Sequence, residues 1–173
     1  TPEANATVAP NGMLIYGDTT NVGNLKHRNY WNGTWLTEVS TSGGTASNVK
    51  WAIVKANPTR NEKAALLLKT DGTLNVFLYN ATSTDAWTLQ YTVSGVGPTS
   101  ASFTQATDMF YENLSGDLVV TYGKTATNGS FFYRVWDGDT WTGESSQALP
   151  GMTGPSSWIS AASRNGTTSP SDV

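Results

Sequence analysis

Apolar residues in this chain come in short runs that alternate with polar positions or end abruptly at a turn, and none keeps a helical period. Met13-Leu14-Ile15-Tyr16 predicts a short strand closed by Gly17-Asp18, and Leu25 to Trp31 a second. The Asn32-Gly33 turn follows, with Thr34 to Val39 returning. Asn-Gly between two such runs favours a type I′ hairpin, because both central residues must take positive φ. Val49 to Ala56 alternates with the period of two expected of a half-buried strand and stops at Asn57-Pro58-Thr59.

The same pattern then restarts. Ala64 to Leu68, a turn at Asp71-Gly72, Leu74 to Tyr79 and Trp87 to Tyr91 are the next strands, with Met109-Phe110-Tyr111 closing the set. The Leu66–Leu68 run has a helical look but is too short and too near Asp71-Gly72. A third pass reads Leu118 to Tyr122, Phe131 to Trp136, and Thr140-Trp141-Thr142 after the turn, with Trp158 to Ala162 as the last strand. Trp35, Trp87 and Trp141 occupy matching places, as do Trp51, Phe103 and Trp158.

These passes predict an all-β fold of three four-stranded antiparallel repeats, about 13–62, 63–114 and 115–165, at a spacing of roughly 50 residues, as in propeller blades. A polar arm at 1–12 and a polar tail at 166–173 flank them. Propellers need about four to eight blades. Three units therefore imply a longer array, an association of chains, or an open β-sandwich. The terminal strands would present unpaired edges, which the arm could cover or a second copy could pair.

Composition narrows the function. Of the 173 residues, 13% are charged, about half the usual share, and Ser, Thr, Asn and Gly carry the polarity instead. That balance is typical of secreted and cell-surface β proteins, so the expected setting is extracellular. A net charge of −3 argues against a nucleic-acid partner. Without cysteine there is no thiolate metal site and no disulfide, and no apolar run is long enough for a helical membrane span. The start at Thr1-Pro2-Glu3 reads like a mature N-terminus.

Candidate chemistry is sparse. His27, the only histidine, sits in a Lys26-His27-Arg28 cluster and reads as an ordinary surface residue. Asp137 and Asp139 suit a turn; with Glu144 they make only a thin calcium loop. No metal, cofactor or catalytic residue is assigned. The aromatic turns allow two readings. Sugars stack their C–H faces on exposed rings while Asn, Asp and Arg bond the hydroxyls, which makes Trp31, Asn32, Trp35, Trp87, Arg134, Trp136, Asp137 and Trp141 candidate carbohydrate contacts. Alternatively the rings are core between repeats, where each buries a large apolar area. Asn-x-Ser/Thr sequons at Asn5, Asn32, Asn80, Asn113, Asn128 and Asn165 are candidate glycosylation sites.

The strings Trp31-Asn32-Gly33-Thr34-Trp35, Tyr133-Arg134-Val135-Trp136-Asp137-Gly138 with Trp141, and Asn57 to Lys63 resemble repeat units of uncharacterised bacterial surface proteins, over about Met13 to Arg164. That resemblance implies a propeller-like fold. More distantly the chain is similar to propeller lectins and to the Asp-box repeats of sialidases. Asp137-Gly138-Asp139-Thr140-Trp141 departs from the Asp-box in placing Gly directly after Asp, so sialidase activity does not carry over. The expected function is a non-enzymatic extracellular protein for adhesion or assembly with lectin-like carbohydrate contact. Its alternatives are a structural subunit of a self-assembling surface fibre or layer, and a glycoside hydrolase fragment. Expected partners are further copies of the chain and glycans.

Overall fold

The structure is a computed structural model and describes residues 12–18, 22–44, 46–80, 86–97 and 104–164. Among the described residues it is all-β, as the alternation predicts, with twelve strands in three antiparallel sheets. The first sheet holds β1 (Gly12–Tyr16), β2 (Leu25–Trp31), β3 (Thr34–Trp35) and β4 (Val39–Thr41). The second runs β5 (Val49–Ala56), β6 (Glu62–Lys69), β7 (Leu74–Asn80), β8 (Trp87–Val93) in that order. The third is β9 (Thr107–Tyr111), β10 (Leu118–Tyr122), β11 (Ser130–Trp136) and β12 (Ser145–Ala148).

Most strands fall where the pattern puts them, but β12 is additional, Trp158–Ala162 forms only an isolated bridge at Trp158 where a last strand is expected, and two strands join a different sheet. Val49–Ala56 and Met109–Tyr111 read from sequence as the strands that end the first and second repeats. Each instead opens the sheet that follows, β5 against β6 and β9 against β10. A tight turn decides the matter: Asn57 N donates to Glu62 O at 2.9 Å and Glu112 N to Asp117 O at 2.7 Å, so each strand folds straight back on its successor. The predicted Asn-Gly hairpin is present, with φ of 44° at Asn32 and 84° at Gly33. Residues 1–11 of the arm, Phe103 and the tail lie outside the described residues, and Gly12 opens β1.

The middle sheet is covered on both faces, which explains the unbroken apolar run in β6. A sheet buried on one face alternates, whereas one buried on both reads as continuous apolar sequence. Leu66 and Leu68 pack with Leu74, Val76, Met109, Leu118 and Val120 toward the third sheet. Ala65 and Leu67 pack with Phe77, Tyr79, Trp87, Ile15 and Leu25 toward the first. His27, expected at the surface, is fully buried on that second interface. It sits edge-on to the rings of Tyr79 and Trp87 at 6.0 and 6.2 Å between centroids. Alternation along β2 turns Lys26 and Arg28 to one face and His27, two apart from Leu25, to the core.

The Asn57–Lys63 string is a latch between the second and third sheets. Asn57 Oδ1 accepts from Thr59 N and Arg60 N, which closes the turn. Asn57 Nδ2 and Arg60 then donate to Gly116 O, at 2.8 and 2.7 Å, in the β9–β10 turn. Glu62 finishes it, accepting from Tyr111 OH at 3.1 Å and Trp136 Nε1 at 3.0 Å. A glycine is required at position 116: a Cβ there would lie 2.1 Å from Thr59 Oγ1, and its φ is 75°.

Candidate functional site

Four side chains meet at one end of the crevice between the second and third sheets. Tyr122 closes β10, Arg134 lies on β11, and Trp141 and Glu144 follow the β11 turn. Tyr122 OH donates to Glu144 Oε2 at 2.6 Å, and Lys124 Nζ meets Glu144 Oε1 at the same distance. The Arg134 guanidinium lies over the Tyr91 ring, 4.9 Å from its centroid, within the range of cation–π attraction. Trp141 stands edge-on to Tyr91 at 4.8 Å, and its Nε1 donates to Gln90 Oε1 at 3.4 Å. Strands β8, β10 and β11 thus gather a guanidinium, a carboxylate, an ammonium, an amide and half-buried aromatic faces at one place.

Charge sets the protonation of this group. Burial pushes Glu144 toward the neutral acid, but the hydrogen bonds from Lys124 and Tyr122 and the charges of Lys124 and Arg134 outweigh it, so the carboxyl sits below the ordinary range. Burial raises Tyr91 far above the ordinary phenol, and burial with the bond to Glu144 does the same for Tyr122. Both stay neutral donors. The Tyr91 hydroxyl and Arg134 Nε are buried without a hydrogen-bond partner among the described residues, leaving the crevice with unused bonding capacity.

The first sheet carries the same quartet. Tyr16, Arg28, Trp35 and Glu38 stand at the same intervals as Tyr122, Arg134, Trp141 and Glu144, so a single shift of the sequence superposes all four. Contacts repeat as well. Tyr16 OH donates to Glu38 Oε2, as Tyr122 does to Glu144. The backbone bond from Leu36 N to Asn29 O, 2.8 Å, matches that from Thr142 N to Val135 O, 2.9 Å. The cation beside the glutamate is kept but changes strand: Lys26 on β2 bonds Glu38 at 2.9 Å and also Asp18. Hydrogen bonds from Tyr16 and Lys26, then the charges of Lys26 and Arg28, hold Glu38 low, and those to Asp18 and Glu38 raise Lys26. In the second sheet β6 ends in Lys69 and Gln90 stands three residues after Trp87, so the quartet is absent there.

The sequence-predicted residues separate accordingly. Arg134, Trp136 and Trp141 come together, the two indoles 5.5 Å apart, and Trp35 packs on Tyr30 at 5.1 Å, half its surface exposed. The superposition makes Tyr30, and not Trp31, the counterpart of Trp136, since Tyr30 pairs Trp35 as Trp136 pairs Trp141. Trp87 is buried against His27 and Tyr79 with no open face. Asn32 and Asp137 lie in exposed turns. Asp137 accepts from Asp139 N and Thr140 N at 2.8 Å, bonds that hold its carboxyl low, with Thr140 the larger influence. Glu144 turns to Lys124 instead of joining Asp137 and Asp139 in a calcium loop. Among the described residues no three acids or histidines are grouped to hold a metal. Of the sequons, Asn32 and Asn128 are exposed and Asn113 Nδ2 donates to Arg164 O at 2.9 Å. Asn5, Asn165 and the side chain of Asn80 lie outside the described residues.

Sequence reasoning passed over Tyr16, Tyr122, Glu38, Lys124, Gln90 and Tyr91. Aligning the two Trp-turn-Trp hairpins on their second Trp would have found the quartet.

An acid titration follows from these shifts. A carboxyl lowered on folding stabilises the fold above its unfolded pKa of about 4.3 and loses that contribution as pH falls through the folded value. Unfolding midpoints should therefore drop below about pH 4.3, and Glu38→Gln with Glu144→Gln should flatten that dependence. A double variant with the wild-type acid profile would exclude both glutamates as its source.

Comparison with known proteins adds no relative: no family model matches the chain, and no curated protein matches it either.

Proposed function

We propose that this is a non-enzymatic extracellular binding module that takes carbohydrate through the repeated Tyr–Arg–Trp–Glu quartet. The observation that carries this reading is the recurrence of that quartet, with its contacts, in the first and third sheets. Packing alone does not require the same four side chains twice, and the middle sheet packs without them. The chemistry suits a sugar: an indole face for C–H bonds, with a guanidinium and a carboxylate bonding neighbouring hydroxyls. The low charge, the Ser- and Thr-rich surface and the resemblance to repeats of bacterial surface proteins support the extracellular setting.

Glycan-array binding with tryptophan fluorescence tests the proposal. Saturable quenching by a sugar should be lost in Arg28→Ala with melting unchanged, and in Arg134→Ala with a lower melting temperature, because that side chain also packs on Tyr91. No response to a broad panel by folded protein would end the lectin reading. Turnover of chromogenic glycosides, abolished by Glu144→Gln, would favour a glycoside hydrolase fragment instead. A structural subunit of a self-assembling layer is the second reading, favoured by the uncovered face of the third sheet.

A further inference from the structure

Among the described residues, the two outer sheets each leave one face uncovered by another sheet, and those faces are of different kinds. The shift that superposes the quartets also places Val119, Thr121, Phe131 and Tyr133 of the third sheet on Met13, Ile15, Leu25 and His27 of the first. In the first sheet Ile15, Leu25 and His27 are buried against the second. In the third, all four equivalents line an open cavity of about 1130 Å³, whose lining also includes the stretch from Gly151 to Ala162. This face therefore has the composition of one that another sheet covers.

The first sheet supplies the complement. Its outer face presents Leu14, Arg28, Tyr30 and Trp35, with Leu14 and Trp35 about half exposed. The superposed residues of the third sheet, Val120, Arg134, Trp136 and Trp141, are packed against the second sheet. Among the described residues, then, the first sheet alone has an uncovered face of the kind that takes a preceding sheet. It is also one strand short. β3 and β4 lie end to end on β2, as Trp141 and β12 do on β11, so β1 is the counterpart of β10 and nothing described stands where β9 would.

A strand suited to that place lies at the other end of the chain. Trp158 bridges Gln105 in parallel, Ile159 N donates to Gln105 O at 2.8 Å, and Ala161 N to Asp108 Oδ2 at 2.7 Å. This stretch runs beside β9 as β9 runs beside β5, which is where the first strand of a next sheet belongs.

We propose that the third sheet of one copy takes the first sheet of a second copy, head to tail, with Ser157–Ala162 of the former pairing along β1 of the latter. The contact repeats the two sheet-on-sheet contacts inside the chain and completes both the short sheet and the crevice around Tyr16, Arg28, Trp35 and Glu38. Because the two faces differ, the contact is heterologous and closes only if the rotation allows. Two copies would give a ring of six sheets, within the range of four to eight for propellers. This inference rests on the superposition of repeats and not on sugar binding, so either can fail alone.

Light scattering on the full chain should give twice the 18.5 kDa mass or a longer head-to-tail series. Phe131→Glu, on the third-sheet face, and Leu14→Glu, on the first, should each be monomeric and still unfold in one cooperative transition, without the concentration-dependent melting of an associating wild type. Mixing the two should restore association, because the unblocked face of each fits the other. A wild-type chain that stays monomeric at high micromolar concentration would overturn the proposal, including the case in which residues before Gly12 protect β1 from hydrogen exchange. Association that survives both single variants, or is not rescued by mixing, would overturn it as well, since a symmetric edge-to-edge contact behaves that way.

Discussion

Glu62→Ala should destabilise this protein by about 2–4 kcal/mol, the cost of leaving several buried donors without their shared acceptor. Glu62 is only 13% exposed at its side chain and collects groups from two strands and a turn. Tyr111 OH and Trp136 Nε1 donate to its two oxygens, Asn57 Nδ2 reaches it at 3.4 Å, and Arg60 lies 3.7 Å away. Each donor stranded by truncation costs roughly 1–3 kcal/mol, but the donors share one acceptor, so their losses do not add. The damage would fall on the junction of the second and third sheets, because β6 supplies the carboxylate and β9 and β11 the donors. Glu62→Gln keeps one acceptor oxygen and should cost clearly less. Denaturant unfolding of both variants measures the difference. A loss below about 1 kcal/mol for Glu62→Ala would mean that the Asn57–Lys63 latch does not hold the sheets together.

Strand positions were legible in this sequence because the fold is built from local hairpins. Asn32-Gly33 fixes its own turn through φ, and Trp35, Trp87 and Trp141 each pair across a hairpin with Tyr30, Tyr79 and Trp136. The grouping of strands into sheets was less legible. The connections on either side of β5 and of β9 look alike in composition, and what separates them is hydrogen bonding to Glu62 O and Asp117 O. His27 misled for a different reason. Its charged neighbours suggested a surface patch, yet alternation sends Lys26 and Arg28 to one face and the imidazole to the other, against Tyr79 and Trp87.

The candidate site was half legible. Trp and Arg stand out in a sequence as ligands for a sugar; Tyr and Glu do not. The quartet became visible through the bond from Tyr122 to Glu144, which brings together residues from separate strands. Its first copy is hidden further by the exchange of Lys26 for Phe132 and Asp18 for Lys124 at superposed positions. The positive charge beside the glutamate survives that exchange, while residue-by-residue similarity is lost.

Trp136→Ala should cost about 3–5 kcal/mol, as expected for removing a large packed ring, or roughly 10 °C in melting temperature for a chain of this size. Its indole packs against the core between the second and third sheets, stacks near Trp141, and donates to Glu62. Trp35→Ala should behave differently. That ring touches Tyr30 but is half exposed, so its loss should stay within about 1 kcal/mol in the isolated chain. The contrast separates the two roles an aromatic turn can play. If Trp136 were a ligand platform, its removal would abolish binding and leave melting almost unchanged. If Trp35 lies under a second copy, its removal should weaken association far more than it lowers the melting of the monomer. Melting, binding and mass measured on the same two variants test both assignments, and an unchanged melting temperature in Trp136→Ala would refute its place in the core.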